Sequence, residues 1–378
     1  MKVLCDREKL REGLAVANNV IPTKSPKPVL TNVCLVATAN ALELVGTDLE
    51  VSVRYSIQGD AKGEGGAVLK VTEPGTVVVP ARVMLDFVRD FTGETVEIDT
   101  TPGNCHLTSG DDTCELVTQD PDEFPVVARF DEAGSFQLQA GTFTTLVGRT
   151  AFAAAREQGR YAMHGVLVEV GDGALKMVAT DGRRLAVAQA PLDTHGYKGS
   201  GSRPTIVPTK GMQLFCRVMT DPLDLVRVHM SDNQIGVRTR NAEVFALLLS
   251  GEFPRYSAVI PADSQHVLEA DAAVLERKIR LVANVTGEEA RAVRFSAKAG
   301  RLELFGQSAG RGEAHAALEV DFKGASSEVA FNPDYVIDGL KNCETGIVRL
   351  EFNEKTAPGK FRLGENYIYV VMPITLDA

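Results

Sequence analysis

Five consecutive residues, Thr180-Asp181-Gly182-Arg183-Arg184, bring a carboxylate beside two guanidinium groups. In a cleft such a set could serve as a general acid or base next to an anion-binding arginine. A second Thr-Asp pair, Thr47-Asp48, stands earlier in the chain. Cysteines and histidines offer the other reactive chemistry. The six cysteines (Cys5, Cys34, Cys105, Cys114, Cys216 and Cys343) form no C-x-x-C pair, and the six histidines are equally scattered. Neither a zinc knuckle nor a disulfide framework is expected from that spacing, and free buried or semi-buried thiols are. Cys105 and His106 are adjacent, which on a strand turns them to opposite faces and makes a poor metal pair. The Gly-rich run Ala61 to Gly66 lacks the Lys-Ser/Thr end of a phosphate loop and reads as a surface loop. Gly199 to Ser202 reads as a flexible connection. No metal or cofactor is implied.

The elements around the Thr-Asp pairs decide between chemistry and structure. Three segments share one pattern: residues 29–54, 162–188 and 291–318. Each is an alternating strand, a Gly- or Asn-containing turn, and a second alternating strand, the signature of an antiparallel hairpin. A short strand and a helical stretch precede each one, with helices expected from Asp6, Gly141 and Asp271. A second motif also occurs three times, at 77–91, 205–219 and 329–343: a short strand, a proline near a helix start and a helix of about three turns. Alternating hairpins follow each copy. The chain is therefore α+β, with three repeated modules of two helices and mostly antiparallel sheet. Phe124-Pro125 and Phe253-Pro254 mark the joints, giving domains 1–128, 129–262 and 263–378. At the corresponding place the repeats read Thr47-Asp48, Thr180-Asp181 and Gln307-Ser308. The acid is missing from the third copy, so the Thr-Asp element is expected to be a turn, and an enzyme is disfavoured.

The formal net charge of −10 argues against a nucleic-acid partner unless the basic residues are concentrated on one surface. They recur on the helices. Arg82 and Arg89, Arg149 and Arg156, and Lys210 and Arg217 are each seven residues apart. Seven residues are about two helical turns, so each pair is expected on one face. Val83, Phe87 and Phe91 are expected on the opposite face of theirs. A helix-lined surface facing a polyanion would bind without regard to base sequence and in a salt-dependent way. Similar modules with open sheet edges can also associate head to tail, and close into a ring where the rotation permits. The N-terminus carries charges where a signal peptide needs an apolar run, and no stretch has a membrane span's length. A cytoplasmic protein with no membrane partner is expected.

In the order and spacing of several motifs the chain resembles the bacterial DNA polymerase III β sliding clamps. These are Gly46 to Glu50, Arg160 to Val166, VATDGRRLAV, Phe253-Pro254 and the C-terminal YVVMPI from Tyr369. The resemblance runs over essentially the whole chain. It implies the DNA clamp fold as a half ring, and a head-to-tail homodimer encircling double-stranded DNA. Such a protein has no catalytic activity of its own. It tethers the DNA polymerase III catalytic subunit, is opened and closed by the clamp loader complex, and receives other proteins through short linear motifs. It acts in the bacterial cytoplasm, with the nucleoid during replication. A protein-interaction scaffold of the same modules that forms no ring is the alternative.

The resemblance also implies site residues. A partner-peptide pocket would use Met163, Thr180, Gly182, Arg183, Arg184, Leu185, Pro254, Val259, Asn332, Tyr335, Val371, Met372, Pro373, Ile374 and Leu376. Arg183 stands where a histidine is common, and Ala258 where an arginine is common. A flexible methionine among aliphatic groups suits a groove that accepts different peptides. DNA contact would come from Lys24, Arg82, Arg89, Arg149, Arg156, Lys210 and Arg217. The subunit interface would include the strand around Leu116 and the segment near Asn284 and Val285.

Overall fold

The computed structural model describes residues 1–378 except 60–68, 158, 160, 194–203, 288–290, 354 and 376–378. Arg160, Leu376 and the runs 61–66 and 199–202 therefore lie outside the described residues. Among the described residues there are six α-helices: α1 Arg7–Asn18, α2 Ala81–Asp90, α3 Ala140–Thr150, α4 Thr209–Val218, α5 Ala272–Ala283 and α6 Pro333–Leu340. None is long and apolar enough to cross a membrane.

Local sequence explains the helix starts. Asp6 accepts from the Lys9 amide at 2.9 Å, Asp271 from Val274 at 2.7 Å, and Asn332 from Asp334 at 2.9 Å. Each side chain satisfies an amide that has no partner within its helix. Pro80 occupies the N-cap of α2 and Pro333 the first position of α6. The stripe Leu10, Leu14 and Ala17 on α1 is buried at 0%, as is Leu275, Ile279 and Val282 on α5. Helical spacing puts each stripe on one face, turned to the core.

Two helices depart from expectation. The stretch from Gly141 is shorter than its alanine-rich sequence suggests: α3 ends at Thr150, and Ala151–Ala153 is a 3-10 turn. The Thr150 hydroxyl donates back to the Leu146 carbonyl at 2.7 Å. Arg156 therefore stands beyond the helix, and Arg149 and Arg156 do not share a helical face. On α2 the buried face is Ala81, Met84 and Val88, while Val83 and Phe87 are 45% and 39% exposed.

The chain packs as two compact units. The first is built chiefly from Met1–Gly141 and Lys210–Leu248, the second chiefly from Thr142–Leu192 and from Leu249 onward. The central repeat is thus divided between them. In the first unit an eight-stranded sheet joins the repeats where Val51–Gln58 pairs antiparallel with Ala242–Leu247. In the second, a nine-stranded sheet joins them where Arg184–Pro191 pairs with Tyr367–Val371. Each unit also has a smaller sheet. The five-stranded sheet of the first ends in the edge strand Asp112–Val117, and the four-stranded sheet of the second in Gly312–Glu319.

Candidate functional site

The Thr-Asp turn is formed by the same hydrogen bonds in both units. In the second unit the Thr180 hydroxyl donates to the Arg184 carbonyl at 2.6 Å and accepts from the Gly182 amide at 3.1 Å. Asp181 Oδ1 accepts from the amides of Arg183 and Arg184 at 2.9 and 3.0 Å. In the first unit Thr47 bonds the Val51 carbonyl and the Leu49 amide, both at 3.0 Å, and Asp48 takes the amides of Glu50 and Val51 at 3.0 and 2.7 Å. Leu49 and Gly182 have matching φ values of 81° and 84°. The next strand joins alike: the Leu247 amide donates to Glu50 O and the Met372 amide to Arg183 O, each at 2.8 Å. Both acids are consumed by turns, so neither is placed as a catalytic group.

What differs is the surface beside each turn. In the second unit a cavity of about 280 Å³ opens there. It is lined by nine of the anticipated residues: Met163, Thr180, Gly182, Arg183, Arg184, Leu185, Pro254, Val259 and Met372. Tyr161, Arg255, Tyr256 and Val370 also line it. A Cβ added at Gly182 would meet nothing within 4 Å, so its α-carbon faces open space. Behind the cavity lies a cluster that includes Leu185, Val187, Ile206 and Val370, with Phe253, Tyr256 and Ile260 packed against it. In the first unit, register puts Ser52 opposite Thr47 and Arg54 opposite Val45, where the second has Leu185 and Val187. Arg54 is 9% exposed and bonds Glu43 at 2.7 Å. Arg129 holds the same carboxylate at 3.1 Å. Burial works to raise the Glu43 pKa, but the two arginines outweigh it and hold the group below its ordinary value.

Five anticipated residues do not line the cavity. Val371 is fully buried on the opposite strand face from Val370 and Met372. Asn332 caps α6. Tyr335 is half-buried and absent from the lining, with the Arg184 guanidinium 4.7 Å from its ring. Pro373 is absent from the lining, and Ile374 bonds the Ala330 carbonyl through its amide at 2.8 Å. Strand alternation in Tyr369 to Met372 already contained the choice of Val370 over Val371. Tyr161 and Tyr256 carry no comparable periodic signal, because they lie in irregular segments.

Arg184 lines the cavity from a buried, fully engaged position. Its Nε reaches Asp181 at 3.0 Å, Nη1 reaches Asp338 at 2.8 Å, and Nη2 donates to the Phe152 carbonyl at 2.8 Å. Its side chain is 10% exposed. The guanidinium is therefore a support under the cavity, while the exposed Arg183 is the cation at its edge.

The basic residues separate similarly. Lys24, Arg82, Arg89, Lys210 and Arg217 are exposed on the first unit. Arg89 is engaged by Asp86 and Asp90 at 2.9 Å, Arg217 by Asn19 at 2.6 Å, and Lys210 by Asp48. Arg149 is turned inward: its side chain is 15% exposed, paired with Glu344 at 3.3 Å and stacked 5.6 Å from the Tyr367 ring. Arg149 is thus not the exposed helix-face cation that its spacing predicts. Arg156 is exposed but lies outside any helix. The six cysteines are free, and burial pushes the Cys5 and Cys105 thiols up to about 12.

Repeated strand–helix modules fused through shared sheets, with an apolar cavity beside one copy of a duplicated turn, define a DNA clamp. The chain belongs to the DNA polymerase III beta subunit family. The family's N-terminal, central and C-terminal domain models match residues 1–128, 137–255 and 257–375. A beta sliding clamp from Chlamydia muridarum is 30% identical over 378 residues, covering 100% of this chain and 99% of the relative. The crystal structure of the DNA polymerase III subunit beta from Pseudomonas aeruginosa superposes with a TM-score of 0.92 at 27% identity, over the whole of both chains. A structure of the same organism's clamp bound to griselimycin gives 0.90 at 28%, again over the whole of both. The function is that of a sliding clamp, a non-catalytic processivity factor of DNA polymerase III.

Proposed function

We propose that two copies of this chain join head to tail into a ring around double-stranded DNA, and that the cavity receives short linear peptides from partner proteins. Those partners are the polymerase III catalytic subunit, the clamp loader complex and other proteins carrying such motifs. The ring works in the cytoplasm, at the nucleoid during replication. Domains 1–128, 129–262 and 263–378 are its repeating units.

The observation that carries the peptide reading is the contrast between the two turns. Only beside Gly182 is the polar turn joined to an apolar floor with an adaptable methionine, Met372, 40% exposed. Such a floor takes apolar side chains, and the rim fixes a peptide's polar atoms. Lys24, Arg82, Lys210 and Arg217 supply cations for phosphates. The edge strands Asp112–Val117 and Gly312–Glu319 lie on different units and each offers unpaired backbone to a second copy. Val117 and Leu281, 71% and 50% exposed, add apolar surface.

Titrating griselimycin into the protein and into Met372→Ser tests the pocket. The substitution should weaken binding about tenfold while leaving the oligomer intact; equal affinities would remove the assignment. For the ring, protein loaded on circular DNA should stay until the circle is cut. A species that stays monomeric and never raises processivity would refute it.

A further inference from the structure

The wall of the cavity contributed by Pro254, Arg255, Tyr256 and Val259 belongs to an irregular segment with one short 3-10 turn, Tyr256–Val259. Its own backbone bonds are local, Tyr256 N to Pro254 O at 2.7 Å and Ala258 N to Arg255 O at 3.2 Å. Side chains from elsewhere in the unit hold it. Tyr256 donates its hydroxyl to Glu169 at 2.6 Å. Lys360 donates from Nζ to the Pro261 carbonyl at 2.9 Å, two residues past Val259. Asn353 reaches the Asp263 carbonyl at 3.0 Å.

Lys360 is unusual among these. It is 3% exposed, in contact with Glu351, itself 4% exposed, at 2.5 Å. Arg349 and Arg362 hold the other carboxylate oxygen at 2.9 and 2.8 Å. A buried ion pair contributes little net stability, because desolvation offsets the attraction, and apolar replacements are often as stable. What an apolar pair could not supply is a donor aimed at Pro261. We propose that Lys360 and Glu351 are positioning residues, a buried pair that fixes the segment 254–261 and so sets the width of the pocket. The inference rests on the reading of the cavity as the peptide site. Glu351 orients Lys360, Lys360 holds Pro261, and Val259 and Tyr256 are thereby presented already in place, so that a ligand loses less freedom on docking.

The test replaces the pair together, Glu351→Met with Lys360→Met, which leaves no buried charge unpaired. Arg349 and Arg362 are 46% and 45% exposed and become solvated. Leu302→Ala, at a fully buried position of the four-stranded sheet, serves as a control that lowers stability without touching the segment. Griselimycin affinity, thermal melting and amide exchange of the unliganded proteins are measured for all. The double variant is expected to bind about tenfold more weakly, with faster exchange at Val259 and Ile260. The control should melt lower and bind as wild type. Wild-type exchange and affinity in the double variant would overturn the positioning role while leaving the pocket reading intact. So would affinity that falls in step with melting temperature in both variants. Failure of the wild-type protein to bind would take down both readings.

Discussion

Arg184 and Asp338 are 154 residues apart in sequence, yet their side chains meet at 2.8 Å. The same guanidinium holds Asp181 and the Phe152 carbonyl and stacks 5.5 Å from the Phe152 ring. Three directional bonds from one planar fork cannot be reproduced by an ammonium. Arg184→Lys keeps the charge but loses part of this fork, and is expected to cost the second unit about 2 kcal/mol. Urea unfolding measures this, and a change inside experimental scatter would show the network to be dispensable.

The duplicated turn makes a reciprocal prediction. Gly182→Ala forces a Cβ into a left-handed conformation and should destabilise by about 1 kcal/mol. Leu49→Gly relieves the same conformation in the other copy and should leave the protein equally or slightly more stable. Calorimetry of the two variants decides it; equal losses would contradict the equivalence of the turns.

DNA binding should divide the basic residues. Lys24→Ala with Arg82→Ala should flatten the dependence of log affinity on log salt by about 0.9 for each phosphate no longer neutralised. Arg149→Met should leave that slope unchanged and lower the melting temperature, since Arg149 is paired with Glu344. The opposite result would restore Arg149 to the DNA surface.

Acid stability follows from Glu351. Burial acts to raise its pKa, but hydrogen bonds from Lys360 and Arg362 win and hold it below the ordinary 4.5. A depressed carboxylate contributes stability that is fully present above its unfolded pKa and is lost as pH falls through the lower folded value. Melting temperature should therefore drop below pH 4.5, and less steeply in the Glu351→Met, Lys360→Met variant. Parallel curves would dissociate this carboxylate from the acid transition.

The repeats, the hairpins and the structural nature of Asp48 and Asp181 were legible because turn chemistry and alternation are local properties. The end of α3 was not. Ala151 to Ala155 has high helix propensity, but the Phe152 carbonyl is taken by Arg184 and the Ala155 amide donates to Met163 at 2.8 Å. Those partners lie outside the helix, and they override propensity. Sequence distance also hides Tyr256, whose partner Glu169 lies 87 residues away. Nine of the thirteen residues that line the cavity were reachable from family motifs, whereas the role of Arg184 as its support depends on where folding brings Asp338 and Tyr335.

The division of the central repeat between two packing units has a consequence for how the molecule comes apart. Val51–Gln58 is paired with Ala242–Leu247, and Arg184–Pro191 with Tyr367–Val371. A fragment cut at the repeat boundary near residue 128 would expose the first of these seams as a raw strand edge, prone to self-association. Cooperative opening should follow the packing units instead, so native-state exchange would sort amides into groups that cross the repeats. Three sequence repeats would then behave, for purposes of folding, as two bodies.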